Sequence, residues 1–184
     1  LPLYGYPRTI VQDMPYTVIP AGVSVSQPSM RAIEYYHPAL DHYFLTTLRT
    51  EMRDLDSGVT EGWQRTGRSF KVSSDQTANA VCRFYIPPAQ GDSHFYSASP
   101  QECAKVAAQH PDLILETSNL FRAALSNGSG DCTVSALRVY RLWNNRVDSN
   151  HRYTTDRGLR DEMVKAGYVS EGAGPAGVAF CAPR

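Results

Sequence analysis

Short apolar and aromatic runs recur three times along the chain, each followed by a polar turn and a second aromatic run. The first runs, rich in β-branched and aromatic residues, are typical of strands: Ile33–Tyr36, Val81–Tyr85 and Leu137–Trp143. Pro, Gly, Asn and Asp follow each run and predict a hairpin turn. Return strands are therefore expected at Tyr43–Thr46, Phe95–Ser97 and Arg152–Thr154.

A helical stretch follows each predicted hairpin. The return strands end in Thr or Ser, which suit a helix N-cap, and helices are predicted at about Arg49–Leu55, Pro100–Gln109 and Asp156–Ala166. Ser99, Pro100 and Glu102 together form the pattern of a capping box with Pro at the first helical position. Two further strands are predicted after each helix: Trp63–Thr66 and Ser69–Val72, Leu113–Glu116 and Leu120–Ala124, and Tyr168–Glu171 and Val178–Cys181.

Two landmarks show that these segments are internal repeats. His42, His94 and His151 are 52 and 57 residues apart, and Phe70, Phe121 and Phe180 follow them by 28, 27 and 29 residues. A unit of this size cannot bury its apolar face alone, but three units can close around a pseudo-threefold axis. We therefore expect a mainly β (α+β) fold of three strand–strand–helix–strand repeats, small and propeller- or barrel-like.

The repeats divide the chain into a single domain and an arm. The predicted domain comprises residues 31–184, with units at about 31–73, 80–126 and 132–183. Residues 1–30 lie outside the repeats, carry five prolines and are expected to form an N-terminal arm or linker. Because the chain begins with Leu1 rather than Met, we interpret it as a processed or excised product.

Composition narrows the function classes. The chain has 184 residues, 42% of them apolar and 20% charged, with 18 basic and 18 acidic residues. Equal numbers of basic and acidic residues argue against a nucleic-acid partner, because proteins that bind a phosphate backbone normally carry an excess of Lys and Arg. No window of about 18 apolar residues predicts a membrane span.

The four cysteines are Cys82, Cys103, Cys132 and Cys181, without zinc-site spacing. They favour two disulfides and an oxidising compartment; the alternative is four reduced core thiols. Of three possible connectivities, Cys82–Cys103 with Cys132–Cys181 is preferred, because each bridge then falls within one repeat.

The runs CRFYIPPAQGDSHFYSASPQECAKV and VYRLWNNRVDSNHRYTTDRGLRDEMVKAGYVSEG resemble a family of bacterial extracellular repeats of unknown function. The signature of that family is approximately VYRFYN, DHFYTT, a short Glu- or Arg-rich helix and a YEG-like element. The resemblance covers about residues 32–183. It implies a C-terminal module of secreted or cell-surface proteins, with glycan binding as one role. In the second unit LETS replaces the YEG-like element, so we expect a site using that position to be absent there.

The repeated histidines are the most conspicuous polar residues. Three equivalent imidazoles around one axis would provide a three-histidine metal site with an open position. The preferred interpretation is structural: each histidine bonds the turn of its own unit through Asp41, Asp92 or Asp148. No metal and no cofactor is therefore predicted.

The aromatic residues suggest a different site. Sugars present apolar C–H faces rimmed by hydroxyl groups, so exposed aromatic rings beside polar side chains form a suitable platform. Most of the repeated aromatic residues are expected to pack in the core. The candidate ligand-binding residues are Trp63, Trp143, Tyr36, Tyr85, Asp41, Asn144, Arg141 and Glu171.

No motif of a hydrolase, metalloprotease or nucleotide-binding enzyme occurs, so no catalytic residue is predicted. The leading function is a non-catalytic extracellular or cell-surface binding module for a glycan or cell-wall polymer. One alternative is a surface-assembly or filament subunit that pairs its N-terminal arm with a neighbouring subunit or an upstream secreted domain. A cryptic hydrolase, with a catalytic triad assembled from distant segments, is the second alternative.

Overall fold

The structure is a computed structural model that describes residues 30–184. The predicted N-terminal arm, apart from Met30, lies outside the described residues. Twelve strands and three α-helices are assigned in residues 30–184, so the class is mainly β with short helices, as predicted.

The first unit forms a hairpin, a helix and a strand that returns to the other side of the first strand. This gives an antiparallel three-stranded sheet of order β2-β1-β3. Its elements are β1 (Arg31–His37), β2 (His42–Thr46), α1 (Arg49–Asp56) and β3 (Gln64–Lys71). The two strands predicted after α1 are one strand, whose pairing with β1 shifts register between Ile33 and Tyr35.

The second unit repeats this order, giving a sheet β6-β5-β7. Its elements are β4 (Asn79–Ala80), β5 (Cys82–Ile86), a 3₁₀ turn (Pro88–Gln90), β6 (Ser93–Ser97), α2 (Pro100–Gln109), β7 (Ile114–Thr117) and β8 (Arg122–Ala123). The predicted closing strand Leu120–Ala124 is reduced to β8, which pairs with β4.

The third unit has the sheet order β10-β9-β11, and β12 also pairs with β9. Its elements are β9 (Ala136–Trp143), β10 (His151–Thr154), α3 (Arg157–Lys165), β11 (Val169–Glu171) and β12 (Val178–Pro183). Because the strands of residues 30–184 belong to four separate sheets, they form no closed barrel.

Local sequence explains the hairpins and two helix starts. Asp41 and Asp92 each end a hairpin turn with φ of 54° and 49°, a left-handed conformation that short polar side chains tolerate. Ser99 Oγ accepts from the backbone N–H of Glu102 at 3.2 Å, and Asp156 caps α3 in the same way. The predicted capping box is only half formed, because the Glu102 carboxylate bonds Ser97 and Arg141 instead of the N-cap backbone.

The landmark phenylalanines meet in one core. Phe180 is fully buried, and Phe70 and Phe121 are 5% and 3% exposed. The ring centroid of Phe180 lies 6.1 Å from that of Phe70 and 5.8 Å from that of Phe121. The sheets of all three units contribute to this apolar cluster. Burial of these large rings supplies much of the hydrophobic free energy that holds the units together.

Two buried tyrosines tie the return strands of neighbouring units. Tyr96 Oη donates to the carbonyl of Leu45 on β2 at 2.6 Å and accepts its N–H at 3.3 Å. Tyr153 Oη bonds the carbonyl and N–H of Tyr96 on β6 in the same way. Each hydroxyl thus satisfies two backbone groups that would otherwise be buried without partners.

Both preferred disulfides are confirmed. Cys82 is bonded to Cys103, joining β5 to α2, and Cys132 is bonded to Cys181 on β12.

The first unit has apolar side chains between its first strand and its helix. Ile33 and Met52 pack against the core of this unit, where β1 faces α1.

Candidate functional site

A cluster of four charged or polar side chains lies where the first unit meets the second. Arg83 on β5 donates from Nη1 and Nη2 to the two carboxylate oxygens of Glu51 on α1, at 2.9 and 2.6 Å. Its Nε lies 2.7 Å from Glu116 Oε2, without hydrogen-bond geometry, and His94 Nε2 lies 3.2 Å from the same oxygen. Arg83 is 6% exposed, whereas the two glutamates keep 27% and 30% of their side chains exposed.

The same arrangement recurs where the second unit meets the third. Arg141 on β9 donates to both carboxylate oxygens of Glu102 on α2, at 3.1 and 2.7 Å. Its Nε lies 3.3 Å from Glu171 Oε2, which is also 3.1 Å from His151 Nε2.

Strand register shows that the two clusters occupy equivalent positions. Arg83 pairs with Tyr96 in the β5–β6 hairpin, and Arg141 pairs with Tyr153 in the β9–β10 hairpin. Two residues further along the first strand of each hairpin, Tyr85 pairs with His94 and Trp143 pairs with His151. The clusters are therefore two copies of one arrangement.

Each cluster lines an open cleft. The first cleft, between the first and second units, measures about 420 Å³ and includes Trp63 and Phe44 with the Arg83 cluster. The second cleft, between the second and third units, measures about 470 Å³ and includes Trp143 and Phe95 with the Arg141 cluster. These volumes lie in the range of small-molecule sites. A larger groove of about 790 Å³ beside Met30 contains none of the predicted site residues.

An aromatic ring lies against each buried guanidinium. The Arg83 Cζ atom lies 5.6 Å from the Phe44 ring centroid, and the Arg141 Cζ atom lies 4.6 Å from that of Phe95. Such cation–π contacts hold the guanidinium plane in place while the carboxylates neutralise its charge.

Three of the cluster glutamates, Glu102, Glu116 and Glu171, have lowered pKa values. Burial pushes the pKa of Glu102 up, but the hydrogen bonds and charge of Arg141 push it down by more, so it lies below the ordinary value. The same balance lowers the pKa of Glu116 and Glu171, where the paired histidine and arginine outweigh burial. Burial lowers the pKa of His151. A neutral His151 that donates to Glu171 carries its proton on Nε2.

The boundary between the third and first units carries different chemistry. Glu34 occupies the position of Arg83 on its strand, and Arg152 occupies the position of Phe95. Arg152 donates to both oxygens of Glu34 at 2.9 and 2.8 Å, and its Cζ lies 3.9 Å from the Tyr43 ring. Glu34 and Arg152 are 3% and 6% exposed, so this ion pair is sealed from solvent.

The structure divides the predicted ligand-binding residues among different places. Trp143, Arg141 and Glu171 lie together in the second cleft, and Trp63 lies in the first. The others bond nearby polar groups: Tyr36 Oη donates to Asp41 at 2.9 Å, Tyr85 Oη donates to Asp92, and buried Asn144 donates to the carbonyl of Asp148 at 2.8 Å.

The predicted equivalence of the three histidines is wrong for His42. In its hairpin His42 pairs with His37, and Tyr43 occupies the position of His94 and His151. His42-Tyr43-Phe44 fits the His-x-aromatic pattern, but strand register places Tyr43 and Leu45, one residue later, at the positions of His94 and Tyr96.

The predicted partners of the histidines are also wrong. His94 and His151 contact glutamates, not the aspartates of their turns. His42 Nε2 lies 3.1 Å from the carbonyl oxygen and 3.4 Å from Oδ2 of Asp148, which belongs to the third unit rather than its own. Within residues 30–184, no three His, Cys, Asp or Glu side chains are placed to hold a metal ion.

Sequence reasoning missed Glu51, Arg83 and Glu116 in the first cluster and the cleft contact of Glu102 in the second. Glu51 and Glu102 each follow a hydroxyl residue, Thr46 or Ser97, by five positions and bond it. That shared spacing was the available signal. The replacement of the YEG-like element by LETS does not remove the site, because Glu116 makes the contacts that Glu171 makes in the third unit.

Residues 31–178 match the model of a family described as a domain of unknown function, DUF5648. The chain belongs to this family. The matched residues include both clefts and all three helices, so the site lies within the family domain. Neither the curated proteins nor the solved structures compared with the chain match it.

Of the helices in residues 30–184, none has the length and apolar character that crossing a membrane requires.

Proposed function

We propose that the chain is a non-catalytic extracellular binding module that holds a glycan or cell-wall polymer in its two clefts. The observation that carries this proposal is the duplicated cleft. Each copy combines two glutamate carboxylates, a buried guanidinium and a tryptophan at the cleft wall. Carboxylates accept hydrogen bonds from sugar hydroxyl groups, and aromatic rings pack against sugar C–H faces.

The charge state of the clefts favours binding over hydrolysis. Glycoside hydrolysis uses a carboxylic acid with a raised pKa to protonate the leaving group. In these clefts Glu102, Glu116 and Glu171 have lowered pKa values and are ionised at neutral pH. The hydrolase alternative therefore receives no support from these carboxylates.

The finer features of the proposal follow from the same repetition. We place the three units around a pseudo-threefold axis, with two of the three boundaries open as clefts and the third closed by Glu34 and Arg152. Two similar sites on one rigid body raise the avidity for a repetitive polymer without strong single sites. The two disulfides fit a bacterial module that is secreted or displayed at the cell surface.

The assembly alternative depends on the N-terminal arm, which lies outside the described residues apart from Met30. Light scattering over a range of concentrations, with and without residues 1–29, separates the two proposals. The binding proposal expects monomers in both cases, whereas concentration-dependent association that requires the arm supports assembly.

The binding proposal is tested with insoluble polysaccharides and a glycan array. Trp63→Ala and Trp143→Ala are each expected to weaken binding, and the double variant is expected to abolish avidity. Val147→Ala, at a position 93% exposed and outside both clefts, serves as the control. Thermal unfolding followed by circular dichroism checks that each variant folds. Absence of binding to every glycan would overturn the proposal.

A further inference from the structure

The two clefts share their cluster and differ at the rim. On the helices, Asp54 and Lys105 each follow the cluster glutamate by three residues and line the first and second cleft respectively. At the end of the hairpin turns, Asp92 lines the first cleft and Ser149 lines the second. The Asp54 carboxylate of the first cleft thus corresponds to the Lys105 ammonium group of the second. The Asp92 carboxylate corresponds to the Ser149 hydroxyl group.

The difference extends to the whole lining. The first cleft has five carboxylates against one guanidinium: Glu51, Asp54, Glu61, Asp92, Glu116 and Arg83. The second cleft has two carboxylates against two cations: Glu102, Glu171, Lys105 and Arg141. Apart from the histidines, the lining of the first cleft has four more carboxylates than cations, whereas the lining of the second has equal numbers.

Neighbouring groups reduce this difference without removing it. Arg53, outside the lining, pairs with Asp54 at 3.0 Å and offsets one charge. Asp92 accepts from the neutral hydroxyl of Tyr85, which leaves its negative charge in place. Next to the second cleft, Gln90 bonds the carboxylate of Asp112, which adds one negative charge there. The first cleft still carries more negative charge on the same scaffold.

We propose that the two clefts select different saccharides: the first prefers an amino sugar with a protonated amine, and the second prefers a neutral sugar. Asp54 and Lys105 are the specificity-determining positions. This inference rests on the proposed glycan-binding function. Trp63 beside the carboxylates suits an ammonium group, since a cation gains from both an aromatic face and opposite charge. In the second cleft Lys105 repels the same ammonium group.

The chain offers a separate reporter for each cleft, because its two tryptophans, Trp63 and Trp143, line different clefts. In a ¹⁵N-labelled protein, their indole N–H signals are assigned with Trp63→Phe and Trp143→Phe. The probes are oligomers of glucosamine and their N-acetylated counterparts, in which an acetyl group replaces the positive charge of the amine by a neutral amide. The buffer is acidic enough to protonate the amine and stays above the range in which the glutamates titrate.

We expect the glucosamine oligomer to shift the Trp63 signal at several-fold lower concentration than the N-acetylated oligomer, and the N-acetylated oligomer to shift the Trp143 signal at the lower concentration. Asp54→Lys should weaken glucosamine binding in the first cleft by about twofold to tenfold, because the change removes one attraction and adds one repulsion, each of the size measured for exposed charge pairs. Lys105→Asp should strengthen it in the second by a similar factor. Both effects should shrink at high salt, because exposed charges are screened.

Glu162→Lys on α3, exposed and outside both cleft linings, is the control for the change in net charge. Equal preference in both clefts, or an unchanged preference in Asp54→Lys, would overturn the charge selectivity while leaving glycan binding intact. If neither oligomer shifts either indole signal and the glycan array is also negative, the proposed function itself fails.

Discussion

Glu102 and Arg141 join the second unit to the third through two hydrogen bonds of 3.1 and 2.7 Å. Glu102 also accepts from Ser97 Oγ, at the end of β6, and its own N–H donates to Ser99 Oγ. A residue in the first turn of α2 thus fixes the start of the helix, the end of the preceding strand and the wall of the second cleft. Binding and stability are consequently linked at this position.

The first prediction concerns Glu102→Gln. The neutral amide leaves buried Arg141 with Glu171 as its remaining charged partner, so we expect a loss of about 1–3 kcal/mol in the free energy of unfolding. Denaturant unfolding measures this loss. Glu51→Gln is the matched variant at the first cleft and should cost a similar amount, whereas exposed Glu162→Gln should cost little. A cost equal to that of Glu162→Gln would show that the ion pair does not stabilise the boundary.

Sequence predicted the elements better than the site, for a physical reason. Hairpins and helices are specified by local patterns, such as the Asp at the end of a turn or Ser99 and Pro100 at the start of α2. Cysteine pairing also followed from position within a repeat. The clefts, however, are formed between units, and Glu51 contacts Arg83 across 32 residues.

Two errors at the site, the missed contact of Glu102 and the wrong phase of His42, have local causes. Glu102 fitted a local capping box, and that local interpretation concealed its contact with Arg141. The sequence showed that arginines recur in the runs CRFY and YRLW, but it did not show which helix each one faces. The phase of His42 was ambiguous because Tyr43, rather than a histidine, occupies the repeated position.

The second prediction concerns the closed boundary. Glu34→Arg places two guanidinium groups together in a buried site, and we expect a loss of about 3–5 kcal/mol or failure to fold. Combining it with Arg152→Glu restores opposite charges and should recover part of the loss. Thermal and denaturant unfolding of the wild type, both single variants and the double variant complete the cycle. Additive losses would show that the two charges do not interact.

The third prediction concerns pH. Burial lowers the pKa of His151 in the folded state, so the unfolded chain binds this proton more readily. Stability should therefore fall as the pH drops below about 6.5, the ordinary histidine pKa, towards the lowered folded value. His151→Gln, whose amide can donate to Glu171, should flatten this part of the pH profile of unfolding.

A second loss is expected at lower pH in both proteins. Glu102, Glu116 and Glu171 have lowered pKa values in the folded state, so the stability they contribute is present above about 4.5 and is lost as the pH falls through the folded values. A His151→Gln profile that coincides with the wild type above this range would contradict the role assigned to His151.

The last prediction concerns replacement of the Cys82–Cys103 disulfide by the apolar residues that occupy the equivalent positions in the first unit. By strand register, Ile33 occupies the position of Cys82, and Met52 follows Glu51 as Cys103 follows Glu102. Replacing the disulfide by serines removes both the covalent link and apolar packing, whereas Cys82→Ile with Cys103→Met removes only the link. Opening a loop of 21 residues costs about 3 kcal/mol in the chain-entropy model. We expect that loss in the Ile/Met variant and a larger one in the Ser/Ser variant, measured by denaturant unfolding with Cys132–Cys181 intact. If the Ile/Met variant is the less stable, the helix of the second unit packs too differently from α1 for the equivalence of these positions to hold.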